Sequence, residues 1–281
     1  MRLAESPKLL AGVIGWPVAH SRSPRLHGAW LARYHIDGEY LLLPVQPGDL
    51  AAALHDLPGK GFVGANLTIP HKEAALPLCD VLQPSAQRAK AVNTLQFSGG
   101  KIIGSNTDGA GFIANLRAHG VDPAAGPALI LGAGGAARAI GAALQDAGAV
   151  ITFCNRTAER AAALAKDFPP ATTLLWAQRE AALKDFALLV NTTALGMDHQ
   201  PELRMSLESA NSGLTVADIV YVPLETALLR EAAARGLKAV EGLGMLLHQA
   251  VPGFEAWFGV RPVVDAELYR IVAADLLPDL P

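Results

Sequence analysis

A lysine that could do chemistry follows an apolar run in the segment GANLTIPHK, residues 64–72. The run predicts a buried strand, and Pro70 ends it two residues before Lys72. Ligands of α/β enzymes bind at strand ends, and an ammonium placed there can donate a proton or stabilise a developing anion. A lysine at this position can equally be a solvated charge at a helix start. The residues alone leave both interpretations open.

A glycine-rich turn in the second half could bind a dinucleotide. Gly132, Gly134 and Ala137 form the pattern G-x-G-x-x-A between an apolar run and a helical pattern. The first glycine allows a tight turn, the second lets backbone approach a pyrophosphate, and the free N–H groups of the helix start favour phosphate. A plain strand-to-helix connection is the alternative, but the strand–turn–helix–strand context favours nucleotide binding. The predicted phosphate-binding residues are Gly132, Ala133, Gly134, Gly135 and Ala136.

The end of the next strand indicates which nucleotide binds. A site for NAD usually has an acidic residue there for the ribose 2′-hydroxyl. This chain instead has Asn155, Arg156 and Thr157, with Arg160 one helical turn later. Two guanidinium groups suit a 2′-phosphate, although they could also be solvated charges at a helix start. The sequence therefore predicts NADP as the cofactor.

These residues belong to an α/β pattern of alternating short apolar runs and helical stretches, which is typical of parallel sheet. We expect strands at LLAGVIG, YLLLPV, GFVGANLTI, ALIL, VITFC, LLVNTT, TVADIV and KAVEG. Ser23 and Pro24 predict the cap and first turn of a helix that runs to about Tyr34. Two β runs around Ser98-Gly99-Gly100 predict a hairpin, and a helix is expected from Asp108 to about Gly120. A break at residues 121–127 predicts a joint between halves.

Composition and charge disfavour several classes of function. Of 281 residues, 51% are hydrophobic and 17% charged, which predicts a large core, and the net charge of −3 disfavours nucleic acid or an anionic membrane as partner. The apolar run 9–19 loosely resembles a signal peptide, but glycines and Pro17 interrupt it, so a first strand is favoured. Only Cys79 and Cys154 occur, so we predict a reduced cytoplasm and no disulfide framework. Neither has a CxxC partner and the eight histidines show no HxxxH or HxH spacing, which predicts no metal site.

Nine segments follow one another along nearly the whole chain: SRS at 21–23, NLTIPHK at 66–72, AVNT at 91–94, NTDG at 106–109, GAGGA at 132–136, NRT at 155–157, NTTALGM at 191–197, DIVY at 218–221 and GLGMLLHQA at 242–250. Together, in this order, they resemble the shikimate dehydrogenase family. The resemblance implies two α/β domains: a substrate domain at 1–107, an NADP-binding Rossmann domain at 108–243, and C-terminal helices at 244–281 that return to the first domain. It also implies reversible reduction of 3-dehydroshikimate to shikimate by NADPH, in the biosynthesis of chorismate and aromatic amino acids.

The resemblance also implies roles for individual residues. Lys72 and Asp108 are the expected catalytic pair. The expected substrate-binding residues are Ser21, Ser23, Thr68, Asn93, Asp108, Tyr221 and Gln249. Ile219, Gly242 and Met245 are expected on the nicotinamide side, Asn66 is expected only to support the strand end, and His20 and His71 are expected to have no catalytic role.

Two other functions are open to the same sequence. One is a quinate/shikimate dehydrogenase that uses NAD, which the pair Asn155-Arg156 disfavours. The other is a non-catalytic metabolite sensor, which the presence of Lys72 and Asp108 disfavours. The oligomeric state is expected to be monomer or homodimer. Residues 198–213 match nothing in the family and are expected to form a surface loop.

Overall fold

The computed structural model describes residues 8–277, and the chain forms two compact units. The first unit contains the described residues up to Thr107 together with Gln249–Val272. The second unit contains Asp108–His248 and the described residues from Ala273 onward. Each unit is built on its own six-stranded sheet.

The sheet of the first unit has the strand order β2-β1-β3-β5-β6-β4. Its strands are β1 (Leu9–Gly15), β2 (Gly38–Pro44), β3 (Phe62–Leu67), β4 (Val81–Leu82), β5 (Thr94–Ser98) and β6 (Lys101–Ser105). β1 pairs in parallel with β2 and β3, whereas β5 is antiparallel to both β3 and β6. β1 and β3 lie inside the sheet, and their apolar runs are buried, as expected for strands covered on both faces.

The predicted hairpin is confirmed at β5 and β6. Gly99 and Gly100 connect the two strands with φ of +57° and +72°. A two-residue turn of this kind requires positive φ at both central positions, which glycine adopts without strain.

The helices of the first unit are α1 (Ser23–Arg33), α2 (Leu50–Asp56) and α3 (Pro84–Ala89), joined by the C-terminal helices. α8 (Leu243–Phe258) begins in the second unit and ends in the first, and α9 (Ala266–Ala273) follows it. The expected return of the C-terminal helices is confirmed by two indole contacts. Trp257 Nε1 donates to the Leu95 carbonyl at 2.8 Å, and Trp30 Nε1 donates to the Val263 carbonyl at 3.0 Å.

The sheet of the second unit is entirely parallel, with the order β12-β11-β10-β7-β8-β9. Its strands are β7 (Ala128–Leu131), β8 (Ile151–Asn155), β9 (Thr172–Leu175), β10 (Leu188–Asn191), β11 (Thr215–Asp218) and β12 (Lys238–Val240). Its helices are α4 (Asp108–Ala118), α5 (Gly135–Asp146), α6 (Ala158–Ala165) and α7 (Ala227–Ala234). Numbered within this unit, the order is 3-2-1-4-5-6 when read from β9, which defines a Rossmann sheet.

Residues 198–213 contain no helix or strand, as expected, but they are not simply a surface loop. Leu203, Met205 and Leu207 are buried and pack against the core cluster that includes Leu189 and Val216. The segment therefore covers one face of the second sheet. No helix within residues 8–277 is long and apolar enough to cross a membrane.

Candidate active site

Asn93 organises a buried polar cluster in the first unit. Its Nδ2 donates to Thr107 Oγ1 at 3.0 Å and to Gln249 Oε1 at 3.3 Å. Its Oδ1 accepts from the Thr107 amide at 2.8 Å and from Thr94 Oγ1 at 2.9 Å. Asn93 and Gln249, which the sequence predicts as substrate-binding residues, therefore touch each other although 156 positions separate them.

A second set of hydrogen-bonded polar side chains extends from this cluster through Asn66, which lies on β3. Asn66 Nδ2 donates to the Asn93 carbonyl and to Thr94 Oγ1, each at 3.1 Å, and Tyr40 Oη donates to Asn66 Oδ1 at 2.6 Å. The Ser23 hydroxyl bonds the Tyr40 oxygen. Burial raises the pKa of Tyr40, and the bond with Ser23 opposes part of that rise. The sequence indicated only a supporting role for Asn66 and did not single out Tyr40. The contact of Tyr40 with Asn66 depends on the sheet order β2-β1-β3, which brings the two strands close together.

The serine segment departs from the sequence prediction in one respect. Ser23 is not the cap of α1: Arg22 occupies the cap position and no side chain caps the helix. Ser21 Oγ instead accepts from the Ser23 amide at 3.3 Å. Ser23 is buried, whereas Ser21 is half-buried. The prediction placed the helix start one residue late, because Ser-Pro is a common cap and first-turn pair, whereas Ser23 is here the first helical residue.

Lys72 follows β3 in a segment that is fixed by backbone hydrogen bonds. The Thr68 amide donates to the Ile14 carbonyl at 2.9 Å, and the Val92 amide donates to the Lys72 carbonyl at 2.7 Å. Lys72 is half-buried and lies in no regular helix, so it is not a solvated charge in a helical first turn. His71, expected to be without a catalytic role, is buried and its Nε2 donates to the Val45 carbonyl at 2.8 Å.

Asp108 is the first residue of α4 and is buried in the second unit. A Cβ added at Gly109 would come within 2.5 Å of the Ala139 carbonyl oxygen, which shows that α4 packs closely on α5 at this glycine. Lys72 and Asp108 therefore belong to different units. Their roles as a pair stay a prediction.

The predicted phosphate-binding turn lines a cavity of about 240 Å³ in the second unit. The cavity lies at the carboxyl ends of β7 and β10, where the strand order reverses and where Rossmann sheets bind ligands. It is lined by Gly132, Ala133, Gly134, Asn155, Arg156, Arg160, Trp176, Thr192, Thr193, Ala194, Leu195 and Gln200. Of these, Trp176 and Gln200 carried no signal in the sequence.

The glycine turn has the shape that a pyrophosphate needs. Gly132 has φ of +119°, and a Cβ there would come within 2.4 Å of Thr192 Oγ1. At Gly134 and Gly135 a Cβ would meet no atom within 4 Å, so the backbone at the start of α5 faces open space. No side chain caps this helix start, so its N–H groups are available to an anion. Ala136 lies in the first turn of α5 and Ala137 packs in the core, as the fingerprint predicts.

The basic residues follow β8 beside this turn. Arg156, Thr157 and Arg160 are exposed, and Asn155 Nδ2 donates to the Thr157 carbonyl at 3.0 Å. Arg160 Nη2 contacts the Ala133 carbonyl at 3.5 Å, so the guanidinium lies next to the glycine turn. Within residues 8–277, neither arginine forms an ion pair with a carboxylate. The donor set and the open turn fit a dinucleotide that carries a 2′-phosphate.

A second group of predicted residues lies at the carboxyl end of β11. Gly242 approaches the backbone of Ile219, where a Cβ would come within 2.5 Å of the Ile219 carbonyl oxygen. Ile219 and Met245 pack on the same core cluster, and Tyr221 is half-buried two residues after Ile219. The structure therefore brings together the residues expected on the nicotinamide side.

Asp218 fixes this loop, a role that sequence reasoning did not assign. Its Oδ1 accepts from Asn191 Nδ2 at 2.9 Å and from the Val220 amide at 3.0 Å, and its Oδ2 accepts from Thr226 Oγ1 at 2.8 Å. Burial raises the pKa of Asp218 to about 6, although these three hydrogen bonds favour the ionised form. The available signal was an aspartate that ends an otherwise apolar strand. Within the described residues, no cluster of three or more His, Cys, Asp or Glu could hold a metal ion.

A Rossmann sheet, an open glycine turn and a basic strand end define an α/β protein of the dinucleotide-binding class, with a second α/β unit attached. The family model "Shikimate dehydrogenase substrate binding domain" matches residues 13–95, and "Shikimate 5'-dehydrogenase C-terminal domain" matches residues 242–266. A relative from Acidiphilium cryptum, "Shikimate dehydrogenase (NADP(+))", is 67% identical over 268 residues, which are 95% of this chain and 97% of the relative. The chain belongs to the shikimate dehydrogenase family.

Solved structures agree with this family and show its range. The shikimate 5-dehydrogenase of Thermus thermophilus, in complex with NADP(H) and shikimate, has a TM-score of 0.87 and 39% identity, with 96% of this chain and 100% of that chain covered. The quinate dehydrogenase of Corynebacterium glutamicum, in complex with NAD, also has a TM-score of 0.87 but 28% identity, with 96% and 99% covered. Since both share the fold, the fold alone does not choose between the two substrates or cofactors.

Proposed function

We propose that this chain catalyses the reversible NADPH-dependent reduction of 3-dehydroshikimate to shikimate, as an oxidoreductase that acts on a CH–OH group in the biosynthesis of chorismate and aromatic amino acids. The observation that carries the proposal is the 67% identity, over 95% of the chain, to a relative named as an NADP(+)-dependent shikimate dehydrogenase. Two further relatives with the same name are 53% and 55% identical over 94% of the chain. The arginines after β8 support NADP over NAD.

The second unit holds the cofactor in this proposal. The N–H groups at Gly134 and Gly135 bind the pyrophosphate, and Arg156, Thr157 and Arg160 bind the 2′-phosphate. Ile219 and Gly242 line the nicotinamide end. When bound, NADPH supplies the hydride.

The first unit holds the substrate and supplies the proton. The Lys72 ammonium lies against the carbonyl oxygen, stabilises the negative charge that develops there, and donates the proton that completes the hydroxyl. Asp108, which lies in the second unit, is the other proposed catalytic residue and accepts from a substrate hydroxyl. Support for Lys72 in this role comes from its half-buried position in a segment that is fixed on both sides by backbone hydrogen bonds.

The remaining polar residues recognise the ring substituents. Asn93, Gln249 and Thr68 bind hydroxyl groups, while Ser21, Ser23 and Tyr221 bind the carboxylate. The contact between Asn93 and Gln249 supports a shared subsite, because each side chain already restricts the rotamer of the other. Small hydroxyl side chains around the carboxylate favour shikimate over the bulkier quinate. Localisation in the cytoplasm and assembly as a monomer or homodimer stay predictions.

The decisive experiment follows absorbance at 340 nm with purified protein. Shikimate and NADP should give rapid reduction of the cofactor, with kcat/KM at least tenfold higher than for shikimate with NAD or quinate with NADP; tenfold corresponds to about 1.4 kcal/mol of transition-state free energy. Faster turnover of quinate with NAD would replace the proposal with the quinate dehydrogenase alternative. Binding of shikimate without turnover, measured by calorimetry, would indicate a metabolite sensor.

A further inference from the structure

Trp176 contacts the cofactor cavity although its type and position in the sequence carried no functional signal. It directly follows β9, which lies beside β8 at the edge of the second sheet. Its neighbours in the cavity lining include Arg156 and Arg160. Of the four tryptophans in the sequence, the other three lie in the first unit, at Trp16, Trp30 and Trp257.

The indole is held in place by Arg179. The Arg179 guanidinium carbon lies 4.5 Å from the centroid of the Trp176 ring, and Arg179 Nη1 donates to the Trp176 carbonyl at 2.8 Å. Arg179 Nη2 also donates to Glu180 Oε1 at 2.9 Å, and the Arg179 side chain is only 14% exposed. Trp176 itself is half-buried and packs on the core cluster that contains Leu183. A cation–π contact and a backbone hydrogen bond thus fix the ring before any ligand arrives.

The position of the ring in the sheet indicates which part of a dinucleotide it would meet. The glycine turn that binds the pyrophosphate follows β7, the basic residues for the 2′-phosphate follow β8, and Trp176 follows β9. Along this side of the sheet the ring is therefore beyond the phosphates, at the adenosine end. Every nucleobase has a flat π-face, and an aromatic side chain can stack on that face whichever polar groups the base carries.

We propose that Trp176 binds the adenine base of the cofactor, with Arg179 as the residue that positions its ring. This inference rests on the proposed NADP specificity and adds a base-binding residue to it. A ring that only completes the core beneath β9 is the competing explanation. The two differ in one respect: only a ring in contact with the base responds to an adenine nucleotide that lacks nicotinamide.

The test uses adenosine 2′,5′-bisphosphate, which carries the adenine and the 2′-phosphate but no nicotinamide. Addition of this nucleotide should quench tryptophan emission of the parent protein, excited at 295 nm, in a saturable manner. In Trp176→Leu the quench should disappear, and the calorimetric dissociation constant should rise about ten- to a hundredfold, the usual range for a lost base–aromatic contact. Trp176→Phe, which keeps an aromatic ring, should bind within about threefold of the parent.

Two controls separate base binding from local damage. Leu175→Ala changes the exposed neighbouring residue at the end of β9, and the nucleotide should bind this variant with the parent's affinity and quench its emission. Nicotinamide mononucleotide should leave the tryptophan emission unchanged in the parent and in Leu175→Ala. If Trp176→Leu does not fold, the quench in the parent and its loss in Trp176→Phe still decide.

Two results would overturn the inference in distinguishable ways. If the parent binds adenosine 2′,5′-bisphosphate with unchanged emission, or if Trp176→Leu binds it as tightly as the parent, Trp176 does not contact the base and the NADP assignment stands. If the parent binds neither this nucleotide nor NADP, the cofactor assignment is wrong and the role of Trp176 is wrong with it.

Discussion

The hydrogen-bond directions around Asn66 determine what the neighbouring hydroxyl groups can do. Since the Asn66 amide nitrogen donates to the Asn93 carbonyl and to Thr94, its oxygen is left to accept from Tyr40. The Tyr40 proton is then committed, so its oxygen accepts from Ser23. Ser21 differs from Ser23, because the Ser21 oxygen accepts from a backbone amide and its proton remains available to a ligand.

This difference predicts separable effects of two serine variants. Ser21→Ala should raise the KM for shikimate about tenfold and leave kcat within about twofold, because the carboxylate contact exists in ground and transition states alike. Its melting temperature should fall only slightly, since the lost bond from the Ser23 amide is long, at 3.3 Å. Ser23→Ala, the matched control, should lower the melting temperature further, since it removes a partner of buried Tyr40. Steady-state kinetics and thermal melting test both, and an unchanged KM in Ser21→Ala would contradict the role of Ser21.

Lys72 is the residue on which the proposed chemistry depends most. Lys72→Met keeps most of the side-chain volume and removes only the charge and the proton. We expect kcat to fall by about a thousandfold, within the usual range for lost general acid–base catalysis, while affinities for shikimate and NADP change far less. Single-turnover measurements and calorimetry separate the two quantities. A folded variant that binds shikimate and turns over within tenfold of the parent would show that Lys72 has no catalytic role.

At the scale of elements, the glycine turn requires a positive φ at Gly132 and open space for a phosphate at Gly134. Two separate substitutions test these requirements one at a time. Gly132→Ala places a Cβ at φ of +119° and within 2.4 Å of Thr192 Oγ1, so it should lower the free energy of unfolding by about 1–3 kcal/mol. Gly134→Ala is the matched control for stability. Its backbone is extended, with φ of −101°, and its Cβ would meet no protein atom within 4 Å.

Gly134→Ala should therefore melt like the parent but bind NADP more weakly, since its methyl group occupies the space next to the helix start where a phosphate would lie. We expect about a tenfold loss of affinity, equivalent to about 1.4 kcal/mol. Denaturant titration and calorimetry on the two variants measure stability and affinity independently. Equal NADP affinity in Gly134→Ala and the parent would mean that the pyrophosphate does not approach this turn.

Elements could be predicted from the sequence where their patterns are local. Strands such as β1 and β7 are apolar over their whole length because both faces are covered, and the Gly99-Gly100 hairpin needs only its own two strands. β9 was missed because its residues are largely exposed and lack a buried face. β4, with two residues, is a strand only because β6 pairs with it.

The residues of the site likewise divide into those that a local sequence pattern predicts and those that only the fold reveals. The turn at Gly132 and the arginines after β8 follow from a contiguous motif, so their position was predictable. Trp176 was not, because nothing near it in sequence shows that β9 lies beside β8 in the sheet. Asp218 and Tyr40 act through partners on other strands, and those contacts exist only in the folded unit.

For the molecule as a whole, two buried groups make stability depend on pH with opposite signs. His27 lies in the first unit among aromatic rings, stacked on Tyr40 with centroids 4.0 Å apart, and within residues 8–277 neither ring nitrogen has a hydrogen-bond partner. Burial lowers the pKa of His27 to about 3, although nearby Asn66 raises it somewhat. The pKa of Asp218, in the second unit, is raised by burial to about 6.

The direction of each effect follows from which state takes up the proton. Below its ordinary pKa of 6.5, His27 is protonated in the unfolded chain but not in the fold, so its contribution to stability is lost as pH falls from 6.5 towards 3. Asp218 behaves oppositely: the fold binds a proton more readily than the unfolded chain does, so stability is lost as pH rises from 3.8 to about 6. Between pH 7 and 5 the two effects partly cancel. The pH dependence of the parent's stability therefore does not show either effect by itself.

Comparison with variants exposes each group separately. His27→Phe keeps an aromatic ring in the cluster and removes the titration, so on lowering the pH from 7 to 5 it should gain about 2 kcal/mol relative to the parent. Asp218→Asn is the control of opposite sign and should lose about 1 kcal/mol relative to the parent over the same interval. Tryptophan emission in denaturant titrations reports both units, since Trp30 and Trp257 lie beside the His27 ring and Trp176 lies in the second unit with Asp218. The contrary result is a difference in free energy of unfolding between His27→Phe and the parent that stays the same at every pH. His27 would then take up its proton as readily in the folded unit as in the unfolded chain, which its burial among four aromatic side chains argues against.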